Sequence, residues 1–155
     1  MRFNGQQVLP PLEHNVVIPR PDGDFVFKMR VVTDFEAFDA VYPIPEPPFI
    51  QTPGQDKPSP MLTHPKYIEA VEKRGRARLD WLILQSLSAT PELAWDNVKM
   101  DDPSTFHLYG EELKSAGFTA PQVNRIIAGV FEVNGMDQDK IEQAQKRFLA
   151  GQAKQ

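Results

Sequence analysis

The chain has 155 residues, 41% hydrophobic and 25% charged, which is the composition of one globular domain, or one domain plus an arm. It has no cysteine, which excludes disulfides, thiolate metal sites and a cysteine nucleophile. The net charge is −4 and only residues 61–80 are basic, with 5 cationic side chains against 3 acidic ones, a poor balance for a general nucleic-acid binder.

The first residues, MRFNGQQVLPP, lack the apolar run of a signal peptide. The strongest apolar stretch, Trp81-Leu82-Ile83-Leu84, is far short of the ~20 residues that span a bilayer. The expectation is a soluble, cytoplasmic protein with no membrane partner. Residues 25–32 then alternate: Phe25, Phe27, Met29 and Val31 against Val26, Lys28, Arg30 and Val32, the period of a half-buried strand. Asn15 to Ile18 is a shorter β-branched run, and Pro21-Asp22-Gly23 between the two suits a tight turn. A β-hairpin is predicted, with Pro19 making its first strand short or an edge. In residues 34–42 Asp34 is placed to cap, and Phe35, Phe38 and Val41 or Tyr42 recur at helical spacing. A short helix is predicted, stopped by Pro43.

Residues 41–61 hold 7 of the chain's 15 prolines, which rules out an ordinary helix or a central strand. The segment also carries apolar side chains. Ile44, Phe49, Ile50, Met61 and Leu62 are therefore the candidate partner-binding residues, serving either to cover the protein's own bundle or to dock a neighbour. No arginine flanks Pro45 to Pro48, which argues against a signalling-type proline ligand.

A long helix follows, started by His64-Pro65 and ended near Ala89 by Pro91. Its expected inner face is Ile68, Val71, Gly75, Leu79, Leu82 and Ser86, joined by Ile83 and Leu87. Gly75 costs about 1 kcal/mol against alanine there, so it is read as allowing close packing or marking a bend. Asp102-Pro103 opens another helix, and Gly117 stops it. Thr119-Ala-Pro-Gln122 is a capping box, with Phe118 and Val123 as a hydrophobic staple. Val123, Ile126, Ile127, Val130 and Phe131 form an apolar stripe. Asp137 caps a last helix, in which Ile141, Ala144 and Phe148 are expected to face inward and Gly151 to close it.

These elements predict an α+β protein: residues 1–42 a β-hairpin and short helix, 43–63 a proline-rich extended connector, and 64–155 a helical bundle that forms one compact unit with the N-terminal part. The expected core is Leu79, Leu82, Leu87, Trp95, Phe106, Leu113, Val123, Ile127, Phe131 and Phe148.

Catalytic and metal-binding chemistry has little to stand on. His14, His64 and His107 lie in different elements without metal-ligand spacing. Asp101-Asp102 feeds a helix N-terminus, and Glu111-Glu112 lies on an exposed helix side. The stretch NGMDQDKIE lacks the register and twelfth-position glutamate of a calcium loop. The helix–glycine–helix outline at 111–126 resembles a DNA-binding corner, yet its second helix offers only Arg125 as a cation, little for phosphate neutralisation. Lys73, Arg74, Arg76 and Arg78 form a basic cluster, read as an ion-paired helix surface, with Glu69 and Glu72 at i,i+4 from Lys73 and Arg76; the alternative is a site for an acidic partner surface. No nucleophile elbow, Walker loop or dinucleotide fingerprint occurs. The expectation is a non-enzymatic protein with no catalytic residue, metal or cofactor.

From Trp81 the sequence "WLILQSLSATPELAWDNVKMDDPSTFHLYGEELKSAGFTAPQVNRIIAGVFEVNGMDQDKIEQAQKRFL" resembles the tail assembly chaperones of tailed bacteriophages. The residues that carry the likeness are the apolar helix ending in S-L-S-A-T-P-E-L-A-W, D-P-S-T with an aromatic, E-L-K-S-A-G-F, and the V-N-R-I helix. The earlier hairpin, D-F-E-A-F helix and proline-rich segment fit as well, so the likeness covers about residues 15–150. It implies a protein of the host cytoplasm that binds the tape-measure protein, or other tail proteins, and keeps that long helical chain soluble until tube subunits polymerise around it, with self-association as a further option. Two other classes stay open: a minor virion structural protein of the tail or neck, and a nucleic-acid-binding regulator using the helical corner.

Overall fold

The two β runs pair as a seven-residue antiparallel ladder. A computed structural model describes residues 1–9 and 13–153; Pro10 to Leu12 and the last two residues of the expected bundle lie outside the described residues. The ladder joins His14–Arg20 (β3) to Gly23–Met29 (β4), from Arg20 opposite Gly23 to His14 opposite Met29. Pro21 and Asp22 are the two-residue turn, and Gly23 takes φ 133°, open to glycine. The pair next to such a turn exchanges hydrogen bonds, so the next pair, Pro19 and Asp24, does not. The missing Pro19 N–H would point outward, and the ladder loses nothing.

A second hairpin precedes this one. Arg2–Phe3 (β1) pairs with Gln6–Gln7 (β2) around Asn4-Gly5, both at positive φ. Asn-Gly is a strong hairpin signal, and here it forms a turn that the sequence reading passed over.

One face of β3–β4 carries Val16, Ile18, Phe27 and Met29, all buried. It packs on Pro65–Leu87 (α2) and Ala120–Val133 (α4). Val123, Ile126 and Val130 of α4 are buried, while Ile127 and Phe131 are half-buried. Gly129 lets α4 approach the hairpin: a Cβ there would lie 2.7 Å from both Met29 Sδ and Val16 Cγ2. Thr119 and Gln122 make the capping box in both directions. Before it, Pro103–Leu108 is a 3₁₀ turn capped by Asp102, leading into Tyr109–Ser115 (α3); Gly117, at φ 92°, ends that helix. Phe106, Tyr109 and Leu113 complete the buried cluster.

The short helix is Glu36–Val41 (α1). Asp34 Oδ1 accepts the Glu36 N–H at 3.2 Å, although Phe35 is the residue that flanks the helix. Phe38 is buried against Trp81, with Phe35 on the same indole. The basic cluster holds this helix. Arg74 reaches Asp39 at 2.6 Å and the Tyr42 carbonyl at 3.0 Å, over the Phe38 ring, and Arg78 stacks on Phe35 at 3.7 Å. The expected pairing of Glu69 and Glu72 with Lys73 and Arg76 is not found among the described residues; the contacts of the cluster are instead made by the planar guanidinium groups of Arg74 and Arg78.

Several expectations are corrected. Leu79 and Phe148 are exposed rather than core, and so are Ile68 and Val71. The buried part of α2 begins at Trp81; its earlier turns are met by α1 through Arg74 and Arg78. Gly75 faces open space, so it serves no close approach. The last helix, Gln138–Ala153 (α5), has no buried residue; Ile141, Ala144 and Phe148 do not face inward, and the helix runs through Gly151. The α+β class stands, with a core of hairpin, α1, α2, α3 and α4.

Polar side chains dock the strand. Thr90 Oγ1 accepts the Lys28 N–H at 2.8 Å and donates to the Lys28 carbonyl at 2.9 Å. Two residues on, the Arg30 N–H donates to the Ser86 carbonyl at 3.1 Å, and the Ser86 hydroxyl donates to the Arg30 carbonyl at 2.8 Å. After two more, the Val32 N–H donates to Asn134 Oδ1 at 2.8 Å. Ser86 and Thr90 are both buried.

Two glycines should respond to alanine with opposite signs. Gly75→Ala gains helix propensity in open space and should stabilise by up to about 1 kcal/mol. Gly129→Ala must displace Val16 and Met29 and should destabilise by about 1–3 kcal/mol. Chemical denaturation with a common slope checks both, and a stable Gly129→Ala would mean the hairpin–α4 contact is loose. For the strand clamp, Thr90→Val keeps the shape but strands two Lys28 backbone groups, at a cost of about 1–3 kcal/mol. Thr90→Ser keeps the hydroxyl and should cost less; the reverse order would show that the methyl, not the hydroxyl, holds Lys28.

Candidate partner-binding site

The proline-rich segment folds back on itself instead of running extended. Phe49–Ile50 (β5) pairs with Ser59–Pro60 (β6), and the Met61 N–H donates to the Pro48 carbonyl at 2.8 Å. Its tip is Thr52-Pro53-Gly54-Gln55, closed by Gln55 N–H to the Thr52 carbonyl at 3.2 Å, with Gly54 at φ 91°. Proline in the first central position and a positive-φ glycine in the second is the chemistry of a type II turn. The prolines thus stiffen a small arm that carries its own ladder.

The arm holds four of the five candidate residues away from the core: Ile44, Phe49, Ile50 and Leu62 are exposed, and Phe49 retains 64% of its accessible surface. Met61 is half-buried. Of the two roles considered for these side chains, covering the protein's own bundle is not what the fold does with them.

Two further apolar surfaces were not anticipated. On α5, Ile141, Phe148 and Leu149 are exposed, with Met136 beside them; Lys140 pairs with Glu132 across the α4–α5 turn. On α2, Ile68 and Val71 are exposed. The sparse stripe of α5 was the available signal: between Ile141 and Phe148 it offers only alanine, where α4 presents large residues at each turn.

The other constellations are dispersed. His64 caps α2, its Nδ1 accepting the Lys66 N–H at 3.2 Å, and His14 lies 3.7 Å from Glu132. No group of three or more potential ligands that could hold a metal is present among the described residues. At the helical corner, Arg125 donates to the Val17 carbonyl at 3.2 Å, and Arg20 to the Ala116 carbonyl at 2.7 Å while stacked between Phe25 and Phe118. The one cation of the supposed recognition helix is spent on the hairpin. No helix among the described residues is long and apolar enough to cross a membrane.

Burial raises the carboxyl of Asp80 above its ordinary range, with His107 opposing, and pushes the Tyr109 phenol up to about 12, with the Asp80 charge adding to it. No hydrogen bond joins the three side chains among the described residues, and His107 is exposed.

No protein-family model, curated protein or solved structure matches the chain.

The Asp80 shift has a sign. Its folded-state pKa is raised, so its contribution favours folding below the unfolded value and is lost as pH rises through the folded one. Asp80→Asn should therefore raise the melting temperature at neutral pH, and the advantage should vanish below about pH 4, where the aspartate is protonated in both states. An advantage independent of pH would assign the effect to something other than ionisation.

Proposed function

We propose that this chain is a non-enzymatic assembly chaperone of the phage-tail type, acting in the host cytoplasm on the tape-measure protein. One observation carries the reading: apolar side chains of the arm, of α5 and of the first turns of α2 stand outside a core that is complete without them. Apolar side chains grouped along an arm or a helix face, rather than scattered singly, mark interaction when they stand exposed. A long helical client offers a repeating apolar stripe, and a stiff arm plus two exposed helix faces supply several separated grips along it. Proline preorganises the arm, so docking it loses less entropy than docking a flexible linker. The resemblance over residues 15–150 supports the same assignment. The regulator reading has lost its main cation to the hairpin.

The test is co-expression of the chain with the tape-measure protein, followed by measurement of client solubility and of affinity. Phe49→Ala with Ile50→Ser should weaken binding at least tenfold, about 1.4 kcal/mol, at a nearly unchanged melting temperature, because both side chains are exposed already. Unchanged affinity with an unchanged melting temperature would remove the arm from the interface. Recovery of the protein from purified particles would favour a retained structural component over a chaperone.

A further inference from the structure

The outer edge of β4 is only partly covered. In the hairpin register Asp24, Val26 and Lys28 occupy the non-hydrogen-bonded pairs, so their N–H and C=O groups point away from β3. Thr90 proves the direction by taking both groups of Lys28. Those of Val26 and Asp24 have no partner among the described residues. Beside them a cleft of about 940 Å³ opens between β4, the segment 90–97 and α3. Its apolar lining includes Phe27, Leu93, Trp95, Leu113 and Phe118. Its far wall is pinned by Glu112, whose Oε1 accepts the Asp96 and Asn97 N–H groups at 2.6 and 3.1 Å; Oε2 is buried with no hydrogen-bond partner.

We propose that this cleft receives an extended segment of another protein, in which apolar residues alternate with lysine or arginine, added as a third strand to β4. Backbone pairing to Val26 and Asp24 sets its direction, and its apolar side chains enter the floor beside Phe27 and Trp95. Charge selects the occupant. Asp24, Glu92, Asp96, Glu111 and Glu112 line the cleft against a single cation, Lys28. A second copy pairing edge to edge would bring two such acidic rims together. The chain's own arm is proline-rich, which removes the donors a strand must supply, and β5 and β6 already pair with each other. This site is separate from the arm and from α5, so it does not depend on the chaperone reading.

The probe is an acetylated, amidated octapeptide of alternating valine and lysine, with the valine–glutamate peptide as its counterpart. Trp95 is half-buried in the cleft and Trp81 is buried in the core, so intrinsic fluorescence reports the cleft, and Trp95→Phe should silence it. Saturable binding of the lysine peptide is expected, weakening with salt, with no binding of the glutamate peptide. Glu92→Lys with Glu111→Lys should weaken the lysine peptide about tenfold and admit the glutamate one. Val26→Pro removes only an outward N–H, as Pro19 does on the opposite edge, and should weaken binding at least tenfold at little loss of stability. Should that variant fail to fold, the lysine peptide with methylated backbone nitrogens tests the same pairing on the unaltered protein and should not bind. Equal binding of both charge types, or of the methylated peptide, overturns the proposal. So does failure of the lysine peptide to bind, or a dimer in sedimentation that the peptide dissolves, which would assign the edge to a second copy.

Discussion

A two-stranded hairpin is marginal in water by itself, and this fold depends on how its open edge is held. Three polar side chains from helical segments do the work of a missing strand. Thr90, Ser86 and Asn134 meet residues 28, 30 and 32, the alternate positions at which an extended chain turns its backbone groups to one side. The helix contributes backbone as well. The Ser86 carbonyl, which also accepts the Ala89 N–H at 3.4 Å, takes the Arg30 N–H at 3.1 Å. The helix C-terminus thus supplies an acceptor to the strand edge as well as a hydroxyl. The apolar face of the hairpin then lies on α2 and α4, where Gly129 permits close contact. The arrangement ends at Lys28, and the free edge of Val26 and Asp24 is the direct consequence of where Thr90 stops.

What was legible in the sequence was local chemistry. The Pro21-Asp22-Gly23 turn, the Thr119–Gln122 box and the Asp102 cap use contacts within a few residues, and each forms where its residues stand. The clamp was not legible: the sequence places Ser86 only on the inner face of the long helix, and Thr90 acts 62 residues away and Asn134 acts 102 away. The cleft is assembled from three distant segments with no motif, so nothing in the chain announced it. The errors of helix burial share one cause. Periodicity says which side of a helix is apolar, not whether anything lies against it. Ile68, Val71 and Leu79 continue the stripe of Leu82 and Ser86, yet the helix that the hairpin, the 3₁₀ turn and α4 pack against has its buried residues only from Trp81 onward. Ile141 and Phe148 keep helical spacing on a helix that has no buried residue among those described. The basic cluster failed differently: the pairing was expected at Lys73 and Arg76, whereas the cations that find partners are Arg74 and Arg78, which have no glutamate one turn before them and lie on Phe38 and Phe35.

Exposure of α5 has an energetic corollary for the proposed function. A helix of 16 residues without tertiary cover is marginal, since nucleation is costly and propagation gains little per residue. Its apolar stripe contributes stability only once something buries it. On the chaperone reading, client binding and full ordering of α5 are then one event, and part of the contact free energy offsets that ordering. Affinity per unit of buried surface falls as a result. That suits a protein that must let its client go when tube subunits arrive, because a weak grip at each of several sites releases stepwise as polymerisation covers the client. The arm works in the opposite sense. Its prolines and its Phe49–Pro60 ladder fix shape beforehand, so its contacts carry little ordering cost. A preorganised arm to engage first and a marginal helix to close afterwards would divide recognition from retention, with the clamped core between them changing in neither step.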